Sequence, residues 1–132
     1  MKVQSESTAR IAQTLISVPF LGMGAWCVLF PGMIERLGLT PEHYIGTPAS
    51  KVLIGCFGAQ AVLSGLFAAT TRFTRTTFLA YGVALLPFFW FNYQFAIAVK
   101  MFTAFMLLDA VANVAMLVLC VIGWRALRPV AG

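Results

Sequence analysis

Asp109 is the side chain best placed by its type to do chemistry, because it is a carboxylate inside the most apolar run of the chain, residues 98–124. Counted as a helix from Lys100, it falls roughly 13 Å along, near the middle of a membrane-length segment. A carboxylate at that depth costs at least ~2.5 kcal/mol, so it is expected to turn inward toward a polar partner. Asn113 follows four residues later, on the same helical face. Gln60, about halfway along another apolar run, reaches a similar depth from the opposite direction. Asp109, Asn113 and Gln60 are therefore expected to form one internal polar cluster. Such a cluster could relay protons, hold a cation or anchor the polar end of a ligand. A hydrogen-bonded aspartic acid that does no more than fix helix register fits the same residues.

A second group is Trp90, Phe91, Asn92 and Tyr93, within the segment 87–94. Aromatic rings followed by amides could line an apolar pocket with polar gates for a lipid or quinone headgroup. The membrane-interface end of a helix, where Trp and Tyr settle, has the same composition. His43 is the one histidine and has Glu42 beside it and Glu35 further back. A metal centre needs several ligands at suitable spacing, so no metal is expected. No nucleophile-elbow, phosphate-loop or dinucleotide fingerprint occurs, and no cofactor or catalytic set is specified.

The elements that must position these residues follow from composition. Of 132 residues, 61% are hydrophobic and only 10% charged, against about a quarter charged in a soluble domain. Apolar runs at 11–30, 51–70, 76–92 and 98–124 approach the ~20 residues of a membrane crossing. The expectation is a single all-α domain over residues 1–132, a bundle of four transmembrane helices with 31–50 as an outward loop. The first run is too long for a signal-peptide core and is expected as an uncleaved first helix. Within the loop, 31–37 is expected as a short interfacial helix, with Met33, Ile34 and Leu37 toward the apolar side and Glu35 and Arg36 toward water. In the second run Gly55, Gly58 and Gly65 recur at helical steps with Val62 and Ala69, a seam that lets another helix approach closely. Cys27, Cys56 and Cys120 all lie in apolar runs without paired spacing and are expected to be buried small hydrophobes.

The net charge of +5 is carried by residues scattered singly at the ends of apolar runs. That pattern excludes a nucleic-acid patch and points to lipid headgroups as partners. Lys2, Arg10, Arg72, Arg75, Arg125 and Arg128 fall on one side of the bundle, and Arg36, Lys51 and Lys100 on the other. Positive residues favour the cytoplasmic side, which places both termini in the cytoplasm.

The stretch 22–39, with Gly22, Gly24, Pro31 and Gly32, and the glycine-rich stretch 55–66 resemble the DoxX-like group of small four-helix membrane proteins, as does the charged turn 71–75. The resemblance implies a fold and no catalytic residues. Some members of the group are similar to accessory subunits or assembly partners. The expected function is a non-enzymatic accessory or scaffolding subunit that packs with other membrane-protein subunits or as a homo-oligomer, in a bacterial-type inner or plasma membrane. A small proton- or cation-coupled transporter or channel using Asp109 is the alternative. A membrane enzyme or a lipid- or quinone-binding protein is the third.

Overall fold

A computed structural model describes residues 2–127. Arg128, part of the charge count, lies outside them. Five α-helices follow one another: α1 (Lys2–Leu29), α2 (Pro31–Gly38), α3 (Pro48–Thr70), α4 (Arg75–Asn92) and α5 (Leu107–Ala126). Among the described residues there is no strand, only an isolated bridge between Leu39 and Phe102. Among the described residues three helical segments are long and apolar enough to cross a membrane: Gln4–Leu29, Pro48–Thr70 and Ala104–Ala126. This is consistent with a membrane protein. The predicted third crossing, α4, is not among them.

Local chemistry sets the boundaries. Pro48 opens α3 in its first turn, where a missing N–H costs nothing, and the Thr47 hydroxyl accepts from Ser50 N at 3.2 Å. The start of α4 is a reciprocal cap. Thr74 Oγ1 accepts from Thr77 N at 3.1 Å and Thr77 Oγ1 from Thr74 N at 3.3 Å, with threonine where a capping box usually has Glu or Gln. Beyond Asn92, α4 widens into a π-helical turn, Tyr93–Ala98.

The last apolar run departs from its expected course. A single helix was expected over 98–124, yet the backbone leaves the helix at Val99 and Lys100 adopts φ 55°, the left-handed region that side chains disfavour. Residues 101–103 then pair with 38–40. Thr40 N donates to Met101 O at 2.9 Å, Thr103 N donates to Gly38 O at 2.9 Å, and the Thr103 hydroxyl donates to Leu37 O. These partners satisfy an extended backbone that hydrophobic patterning alone reads as helix.

α1 is central, packing against both α3 and α5, and α4 packs on α5. The α1–α3 contact runs backbone to backbone. A Cβ on Gly58 would lie 2.6 Å from both Gly24 O and the Cys27 Cβ, and one on Gly65 would lie 3.0 Å from Leu21 N. The seam of small residues thus closes within the bundle. Gly55 is corrected: a Cβ there would meet open space. Between α4 and α5, the Phe78 ring rests on Gly123, where a Cβ would come within 2.3 Å. Phe78, Ile16, Leu85, Ala68, Met116 and Cys120 form the heart of the core.

Gln13, buried within α1, ties that helix to the α3–α4 turn. Its Nε2 donates to Ala68 O at 2.7 Å and to Thr71 O at 2.5 Å, and its Oε1 accepts from Phe73 N at 3.0 Å. Carbonyls left over at the end of α3 thereby find a donor. α2 forms where a short helix was expected, but with Glu35 inward rather than toward water. Glu35 is 2% exposed, and its Oε1 accepts from Gly46 N at 3.0 Å, while Met33 and Leu37 are exposed. The cysteine expectation is corrected at one position, since Cys27 and Cys120 are buried and Cys56 is exposed.

Candidate functional site

α3 and α4 do not pack backbone to backbone as α1 and α3 do. Aromatic side chains span the space between them. The Phe57 and Phe88 rings are 6.3 Å apart, the Phe67 and Tyr81 rings stack at 6.4 Å, and the Tyr81 hydroxyl donates to Ser64 O at 3.0 Å. Behind these bridges lies a cavity of about 320 Å³ lined from all four long helices. That volume falls at the small end of the range typical of small-molecule sites, about 300–1,000 Å³.

Most of its wall is apolar, with Phe20, Met23, Phe57, Ala61, Leu85, Phe88 and Met116 prominent. The polar groups gather along α3 and at the start of α5: Gln60, Ser64, Asp109 and Asn113, with Tyr81 from α4. Asp109 is in the first turn of α5 rather than nine residues into a helix, because that helix starts at Leu107. A carboxylate there is favoured by the unpaired N–H groups of the helix start.

Two amides hold it. Asn113 Nδ2 donates to Asp109 Oδ2 at 2.9 Å, the contact that the four-residue spacing allows. Asn92 Nδ2 donates to the same oxygen at 3.0 Å and to Phe88 O at 2.9 Å. Asn92 therefore joins α4 to α5 at the edge of the cavity. The sequence placed it in a different group, the aromatic segment.

The predicted cluster comes together in part. Asp109 and Asn113 are bonded, and Gln60 lines the same cavity without a side-chain hydrogen bond to either among the described residues. Gln60 instead contributes its backbone carbonyl, which accepts from the Ser64 hydroxyl at 3.0 Å. The predicted aromatic group lies apart from this cavity. Trp90, Phe91 and Tyr93 are exposed on the outer surface of α4 and its π-turn, and none of the three lines the cavity. Trp90 and Tyr93 face each other at 6.2 Å, and Phe91 stacks on Phe95 at 6.2 Å. Phe88, one turn earlier, is the ring from that segment that does line it.

Sequence reasoning missed Tyr81, Phe57 and Met116 as cavity residues. Their signal is tertiary, because each sits in an apolar run whose members differ only in which neighbour they face. Among the described residues, no group of His, Cys, Asp and Glu could hold a metal ion. Among the described residues no Lys, Arg, His or Glu lines the cavity, which leaves Asp109 as the one acidic or basic residue in its lining. The chain matches no family model, no curated protein and no solved structure.

Proposed function

We propose that the chain is a multi-pass integral membrane protein that holds a small amphipathic molecule in the cavity between α1, α3, α4 and α5. The observation that carries this reading is the cavity itself, an apolar chamber of about 320 Å³ with Asp109 and Asn113 converging at one side. A ligand's apolar body would lie among Phe20, Phe57, Phe88 and Met116, and its polar end would meet the Asp109 group. In this topology α4 is the third of four crossings, its helical backbone extended by the π-turn through Ala98. Both termini are cytoplasmic, on the side that carries more Lys and Arg.

A scaffolding role would rest on the glycine seam, and Gly58 and Gly65 spend that seam on α1. The closed seam leaves the cavity as the stronger support for function. The resemblance to the DoxX-like group agrees with a four-helix membrane fold and is neutral between these roles.

Native mass spectrometry of the protein released from detergent tests the proposal. A bound small molecule is expected on the wild type and lost from Ala112→Leu, which adds bulk to the cavity wall and keeps the carboxylate. Equal ligand retention by both proteins would place the molecule elsewhere and overturn the cavity reading. A cation flux in reconstituted vesicles that Asp109→Asn abolishes would replace binding with transport.

A further inference from the structure

We infer that the ligand of this cavity carries a protonated amine, with Asp109 as its counter-ion. The inference rests on the cavity reading and adds the chemistry of the head group. Three observations lead to it.

The first is charge. Asp109 is half-buried, lines an apolar chamber, and has no Lys, Arg or His beside it in that lining. Among the described residues its partners are two neutral amides. A carboxylate in apolar surroundings is normally matched by a cation. Among the described residues the cavity lining supplies none.

The second is the balance of donors and acceptors. Both hydrogens of the Asn92 amide are committed, to Phe88 O and Asp109 Oδ2. The Tyr81 hydroxyl gives its hydrogen to Ser64 O, and the Ser64 hydroxyl gives its own to Gln60 O. Both amide bonds to Asp109 end on Oδ2, so Oδ1 receives none among the described residues. At the α5 side the cavity therefore offers Asp109 Oδ1 and the Asn113 side-chain oxygen, both acceptors, with one remaining Asn113 hydrogen. The Gln60 amide, exposed toward the α3–α4 gap, can serve either way. An ammonium head, with several N–H donors and a positive charge, fits this inventory. A carboxylate or phosphate head would face like charge, and a quinone, which only accepts, would find few donors.

The third is the ring content of the wall. Phe20, Phe57, Tyr81 and Phe88 line the chamber. Aromatic faces attract a cation more strongly once water is excluded.

The test uses three probes with one apolar body: phenylbutylamine, phenylbutanol and phenylbutyrate. Each is titrated into the purified full-length protein in a neutral detergent, and binding is read by equilibrium dialysis. The amine is expected to bind at least about tenfold more tightly than the alcohol, and the carboxylate not at all. Asp109→Asn, close to isosteric, is expected to erase the preference for amine over alcohol while circular dichroism stays unchanged. Ala112→Leu is expected to abolish binding of both. Equal amine and alcohol affinities that Ala112→Leu still removes would overturn the head-group inference and leave the cavity reading standing. Binding of all three probes that neither variant alters would sink both. A variant that loses its helical signal is replaced by Asp109→Glu, expected to keep the amine preference because it keeps the charge.

Discussion

The two sides of α3 are built on opposite plans. Toward α1, glycines at 24, 58 and 65 bring the backbones so close that a single Cβ at position 58 would lie 2.6 Å from its neighbours. Toward α4, rings and a tyrosine hydroxyl reach across a wider space and leave a chamber behind them. Small residues close a helix pair by dispersion over many short contacts, and a bulky side chain there has nowhere to go. Large aromatic residues instead hold helices apart at ring distance. One helix thus carries a sealed face and a face suited to accommodate something else.

The largest effect on the sealed face is expected at position 58. Gly58→Leu forces α1 and α3 apart and is expected to cost about 3 kcal/mol or more, measured as loss of thermal stability in detergent. A Gly58→Leu protein as stable as wild type would mean that the sealed face is not sealed. The end of that face depends on Gln13, which joins α1 to the α3–α4 turn. Gln13→Leu leaves the Phe73 N–H and two carbonyls without their partner, an expected loss of about 2 kcal/mol. Faster amide exchange at Phe73 would accompany it, and unchanged exchange would count against the tie. The smallest effect sharpens the contrast. Gly55 lies on the same helix with nothing near it, so Gly55→Leu should stay within about 0.5 kcal/mol of wild type. A large loss would show that the exposed arc of α3 is in fact packed.

Much of the fold was legible in sequence because apolar runs of sufficient length mark helices without reference to tertiary structure. The runs at 11–30, 51–70 and 76–92 each fall within a helix except at the edges. The run 98–124 misled because Met101 to Thr103, reached through the left-handed turn at Lys100, is held extended by residues 38–40, partners far away in sequence. Asp109 and Asn113 could be paired from their spacing alone, since a four-residue interval sets two side chains side by side on any helix. Asn92 could not, because its place beside Asp109 depends on how α4 lies against α5. Glu35 misled for the same reason. A carboxylate next to an arginine in a loop reads as solvated, and only the fold turns it toward the Gly46 amide.

The central claim, that the chamber beside Asp109 receives a ligand and the rest of the surface does not, is tested most directly by methionine methyl NMR. Met23 and Met116 line the chamber, whereas Met33 lies exposed on α2. With methyl-labelled methionine and phenylbutylamine added, nuclear Overhauser contacts from the ligand ring are predicted at the Met23 and Met116 methyls and absent at Met33. Contacts at Met33 of equal strength, or none at Met23 and Met116 under saturating ligand, would contradict it.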